Sequence, residues 1–161
     1  MLMRKSGWWA AGVLMVASAG LSQDGVAYHS AGSLKDAEAK LLEQARTSAN
    51  GIASLAMEKY PGHFMNLVAR TKSGGGEIHA NWSDVFVVLD GEATVIVGGT
   101  VVDPKDGVGG EVRGAKLEGG RSYLLKKGDV LHILAGTPHQ TVVAPGQTFT
   151  YFVVKAEAPK P

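Results

Sequence analysis

The chain has 161 residues, no cysteine, 16 basic against 15 acidic residues, and 22 glycines, about twice the usual glycine share of roughly 7%. That length suits one domain with a core able to stand without staples. The missing cysteine excludes disulfides, thiol catalysis and sulfur-ligated metal, and a net charge of +1 gives no global field pointing to nucleic acid.

The opening MLMRKSG carries Arg4 and Lys5, then an uncharged apolar run from Trp8 to Val16, then Ala17-Ser18-Ala19. A positive start, a short apolar stretch and small residues at an A-x-A spacing are the layout of a secretory signal peptide. The run is too short to span a bilayer comfortably, so no stable membrane anchor is expected after cleavage. Removing residues 1–19 takes away two cations and no acid, leaving 14 of the 16 basic residues against 15 acidic ones, a net charge of −1. The protein is expected to be exported, to a periplasm or the medium.

Residues 20–50 form a leading segment. Ser33 with Asp36 three positions on resembles a capping box. Leu34, Ala37, Leu41, Leu42 and Ala45 recur at helical spacing, and Asn50-Gly51 stops the run. The spacing predicts a helix over about residues 34–48, with boundary errors of a few residues.

From residue 51 to 156 the pattern is short apolar runs cut by glycine and proline. Strands are predicted over 52–60, 64–72, 77–81, 85–89, 93–97, 121–126, 130–134, 139–143 and 148–155. Pro61-Gly62 separates the first two. Asp90-Gly91 predicts a hairpin between the fourth and fifth. Residues 98–120 hold eight glycines and read as a long loop with a short hairpin near Glu111–Lys116. Residues 157–161 read as a disordered tail. The fold class is all-β, an antiparallel barrel or sandwich preceded by one short helix.

Two stretches carry candidate chemistry. In Gly74–Gly91, Glu77, His79 and Asn81 point to one face of an extended strand, and Asp84 opens the next. In Gly128–Val143, a turn at Gly136 and Pro138 delivers His139 to a strand start. Two histidines and a carboxylate from separate strands suit a 2-His-1-carboxylate metal site. His63 and His132 read as surface residues, and Trp82 and Phe86 as core filling. Lys126-Lys127 is a turn pair, and nothing supports a phosphate loop.

These two stretches resemble the paired motifs of the cupin superfamily, G-x5-H-x-H-x3or4-E-x6-G and G-x5-P-x-G-x2-H-x3-N. Asp84-x6-Gly91 matches the end of the first, with Asp for Glu. Gly128-x5-Leu134-x-Gly136-x2-His139 matches the second, with Leu134 for Pro and Val143 for Asn. The resemblance covers about residues 60–155. It implies a jelly-roll barrel holding a divalent metal (Mn, Fe, Ni or Zn) on His79, Asp84 and His139. The first motif has one histidine where the family has two. If His79 is the second, Glu77 takes the first place; if His79 is the first, Asn81 takes the second. The resemblance also implies a small-molecule ligand and a homodimer. It leaves open a metal-dependent oxygenase or isomerase, a binding module without metal, and a structural or assembly role.

Overall fold

The computed structural model describes residues 25–159. The predicted signal peptide over residues 1–19 lies outside the described residues, as do Lys160 and Pro161. No helix among the described residues is long and apolar enough to cross a membrane.

Helix α1 runs Ala31–Thr47. It starts one turn before the expected capping box, because Ser30 accepts from the Ser33 N–H at 3.1 Å and serves as the cap. Ala37, Leu41 and Ala45 form a stripe at four-residue spacing. Leu41 and Ala45 are buried on Leu67 and Ala69, with Ala37 packed alongside. Thr150 Oγ1 donates to Glu38 Oε1 at 2.5 Å and ties the helix to the barrel wall.

Twelve strands follow: β1 (Ile52–Tyr60), β2 (His63–Arg70), β3 (Gly76–His79), β4 (Trp82–Val97), β5 (Thr100–Val102), β6 (Lys105–Asp106), β7 (Glu111–Gly114), β8 (Lys116–Glu118), β9 (Arg121–Lys126), β10 (Val130–Ile133), β11 (His139–Val142) and β12 (Phe149–Glu157). All pairings are antiparallel, in the order β1-β2-β12-β4-β11-β3-β7-β6, with β9 and β10 also on β4 and a separate β5–β8 pair.

The expected hairpin at Asp90-Gly91 is replaced by one continuous strand. Residues Trp82–Gly91 of β4 pair with β12, and Glu92–Val97 pair with β9. The two halves therefore pair with different strands instead of with each other. The turn chemistry is real but is used for a bend. Gly91 has φ +75°, and a Cβ there would lie 2.0 Å from the Thr148 carbonyl oxygen. Opposite, the register slips between Thr150 and Tyr151, leaving Leu89 unmatched as a bulge.

The expected long loop over 98–120 is also more structured than read. It contains β5 to β8 and a single 3-10 turn at Val108–Gly110, and the hairpin is β6–β7, closing about that turn. Strands of two to four residues show too little alternation to be read from sequence. At the other end, β12 includes Glu157, and the Ala158 N–H donates to the Asn81 carbonyl at 2.8 Å.

Alternating side chains fill the barrel. Phe149, Tyr151 and Val153 from β12, Phe86 and Val88 from β4, and Val68 from β2 join one core with Val95, Leu125 and Ile133. Residues of the same parity continue these rows as charged groups: Lys155 on β12, Asp84 on β4 and Arg70 on β2.

Candidate metal centre

The site is built by strand register. In the β3–β11 ladder, Glu77 stands opposite His139. In the β3–β7 ladder, His79 faces Glu111 and Glu77 faces Arg113. In the β4–β12 ladder, Asp84 faces Lys155. Glu77 and His79, two apart on one strand, point to the same side. Strand β3 comes this close to its neighbours because of glycine: a Cβ at Gly75 would sit 2.1 Å from the Gly114 carbonyl oxygen.

One ligand-type atom each from Glu77, His79 and His139 lies within 4.8 Å of the others. The two imidazole rings are 5.1 Å apart, centroid to centroid. Asp84 Oδ2 is 3.5 Å from His79 Nε2 and 3.8 Å from His139 Nε2. Glu77 Oε1 is 3.7 Å from His139 Nε2. His79, Asp84 and His139 are all buried. Of the two alternatives for the remaining place, Glu77 points into this cluster. Asn81 is exposed, and its Nδ2 donates to the Gly109 carbonyl at 2.9 Å.

Both imidazoles have their outer nitrogen engaged. His79 Nδ1 lies 2.7 and 2.8 Å from the two Glu111 carboxylate oxygens. His139 Nδ1 lies 3.0 Å from the Thr137 carbonyl oxygen. Acceptors at Nδ1 place the proton there and leave the Nε2 lone pair free. His139 Nε2 is buried and has no hydrogen-bond partner. Desolvation pushes the His139 imidazole below its ordinary pKa, and Glu77 and the Thr137 carbonyl only partly oppose it.

The carboxylates are matched by cations. Glu77 pairs with Arg113 Nη1 at 2.5 Å, and its Oε1 lies 3.9 Å from Arg70 Nη2. Burial opposes ionisation of Glu77, but His139, Arg113, Arg70 and His79 together hold its carboxyl below the ordinary range. Arg70 is buried and donates from Nε to the Tyr151 hydroxyl at 3.0 Å. Burial pulls its pKa down, and Tyr151 and Glu77 outweigh that pull. Asp84 Oδ1 takes the Lys155 ammonium at 2.5 Å.

Glu111, Arg113, Arg70 and Lys155 were not read as site residues from sequence. The first two lie in the short hairpin expected within the glycine-rich loop, and the last two in strands that carry no motif. Trp82 is half-buried and Phe86 is in the core; His63 and His132 are exposed. A cavity of about 430 Å³ lies apart from the cluster. Tyr28, His29 and Leu34 line it against Met65, Leu89 and Phe152, on the helix-bearing side of the sheet.

No protein-family model matches the chain, and no curated protein matches it in sequence. Solved structures do match in fold. Recombinant oxalate oxidase in complex with glycolate is 18% identical with a TM-score of 0.50, over 69% of this chain and 53% of that one. The chain thus spans about half the length of that enzyme. KdgF from Halomonas sp. is 13% identical with a TM-score of 0.50, over 70% of this chain and 85% of that one. The cupin domain of Schizosaccharomyces pombe Cnp3 is 15% identical with a TM-score of 0.48, over 66% and 64%. The antiparallel barrel with one leading helix, and the fold it shares with oxalate oxidase and KdgF, agree with the jelly-roll barrel that the paired motifs imply.

Proposed function

We propose that the chain is an exported cupin that holds one divalent metal ion in its barrel and acts on a small molecule. The observation that carries this reading is the buried, unpartnered Nε2 of His139. A buried polar atom without a partner is costly, and a metal is the partner that this donor set suits. Glu77 Oε1 and Asp84 Oδ2 lie 3.7 and 3.8 Å from that nitrogen, and Asp84 Oδ2 lies 3.5 Å from His79 Nε2. Imidazole and oxygen donors fit Mn, Fe(II), Ni or Zn. Such an ion, when bound, supplies Lewis acidity, on which an oxygenase or isomerase would draw.

The protein's own part is to hold the donors ready. Glu111 fixes the tautomer and tilt of His79, and the Thr137 carbonyl does the same for His139. Arg70 and Arg113 keep Glu77 ionised. Export of the chain after removal of residues 1–19, and its pairing into a homodimer, belong to the same proposal. N-terminal sequencing of the secreted chain and sedimentation at micromolar concentration test those two parts.

A second reading is a cupin that binds a small molecule without metal. It is favoured by the ion pairs, since Lys155 and the two arginines balance the charges of Asp84 and Glu77 from within the chain. Elemental analysis of the purified protein separates the two. The first reading expects stoichiometric metal, lost in His79→Ala and His139→Ala. Sub-stoichiometric metal that neither substitution lowers would leave the second. Glycolate, bound in the oxalate oxidase structure, is a first small-molecule probe for either.

A further inference from the structure

We infer that Lys155 is a positioning residue that shares Asp84 with the metal and so sets how tightly the centre holds its ion. The inference rests on the metal-binding reading above. Lys155 stands directly across from Asp84 in the β4–β12 ladder, on the inward row of Phe149, Tyr151 and Val153. Its side chain is 15% exposed and that of Asp84 is 3% exposed, so neither charge is screened by bulk water. Among the described residues, Asp84 is the carboxylate within ion-pair distance of this ammonium.

The two oxygens of Asp84 have different tasks. Oδ1 is committed to Lys155 at 2.5 Å. Oδ2 faces the two imidazole Nε2 atoms at 3.5 and 3.8 Å. One short carboxylate therefore lies between a fixed cation and the place a metal would take. A metal drawing on Oδ2 shares that carboxylate with the ammonium, and two cations on one buried anion weaken each other. Groups outside the ligand set tune metal affinity through the ligands they touch. Glu111 is a supporting anion of that kind, and Lys155 is the opposing cation. Its removal leaves the full charge of Asp84 to the metal.

Chelator competition with Mn²⁺ and with Zn²⁺ reads the effect in wild type, Lys155→Met, Lys155→Gln and Lys155→Arg. Relief of the repulsion between two cations on one buried carboxylate makes the two neutral variants bind metal at least about tenfold more tightly, and the arginine variant stays near wild type. Thermal melting adds a second readout. Metal-free Lys155→Met melts below wild type, because Asp84 is left buried and unpaired, and added metal raises its melting point by more than it raises wild type's. A lysine with a merely structural role would lower melting without tightening metal. Lys155→Gln keeps a donor to Oδ1 and carries the test if the methionine variant does not fold. Equal or weaker metal binding by folded Lys155→Gln overturns the inference. If wild type takes up no metal and Lys155→Gln does, the role of Lys155 stands and the metal reading of the wild-type chain falls. If neither takes up metal, both fall.

Discussion

Glu111 offers the sharpest check on the proposed centre, because it stands outside the donor cluster and holds one of the donors, His79, directly. Its carboxylate straddles His79 Nδ1 at 2.7 and 2.8 Å, and Arg113 Nη2 reaches Oε2 at 3.3 Å. Glu111→Ala removes the acceptor that holds the Nδ1 proton, and both the imidazole tautomer and its tilt become free. Loss of such a partner typically lowers metal affinity by about 10- to 100-fold. That range is about 1.4–2.8 kcal/mol at 25 °C. Glu111→Gln keeps the size and an acceptor oxygen but loses the charge, so it is expected between wild type and alanine. The assay is competition against a colorimetric zinc chelator, with His79→Ala as the reference for a lost ligand. Affinity in Glu111→Ala within twofold of wild type would refute its role in orienting His79. A loss as complete as in His79→Ala would refute it differently, by making Glu111 itself a ligand.

Gly91→Ala is expected to be far more damaging than Gly62→Ala, although both glycines have positive φ (+75° and +81°). The left-handed conformation costs each variant about 1–2 kcal/mol. Only at Gly91 does the new Cβ strike backbone, at 2.0 Å from the Thr148 oxygen, while nothing lies within 4 Å at Gly62. Equal losses in urea midpoint would dismiss the close approach. Metal-free protein is also expected to lose stability on acidification in two stages. His139 is held below its ordinary value of 6.5, so the unfolded chain takes up its proton first, and stability present above that pH declines as pH falls below it. Glu77, held below 4.5, adds a second loss beneath that value. Melting curves from pH 8 to 3 in wild type and His139→Gln check this, and an unchanged first stage in the variant would remove His139 as its source.

Much of the barrel is legible in the sequence because its signals are local. Pro61-Gly62 closes β1–β2, the turn at Gly136 and Pro138 sets the start of β11, and apolar residues mark β9 and β12. The misreadings share one cause. Asp90-Gly91 has the residues of a hairpin turn, and only its distant neighbours decide otherwise. The bend serves because Thr148–Phe149 arrives alongside Gly91 from more than fifty residues downstream. The candidate site divides in the same way. Glu77, His79, Asp84 and His139 sit in motifs with spacing of their own. Glu111 and Lys155 acquire their places only when β7 lies beside β3 and β12 beside β4, and no spacing within one segment encodes that.

That dependence on register links the centre to the stability of the fold. Glu77 and His79 ride on β3, a strand of four residues held on one side by β7 and on the other by β11. Asp84 rides on the first half of β4, and His139 pairs with Val97 at the end of its second half. The distance from Asp84 to His139 is therefore set by the bend at Gly91, which lies between those halves. A one-residue slip of β4 would carry Asp84 to the opposite face. The bulge at Leu89 prevents such a slip by giving β12 one defined match on each side of it. The glycine that distorts the strand is thus what lets β4 pair with β12 and β10 before the bend and with β9 and β11 after it, and so lets Asp84 meet the two imidazoles.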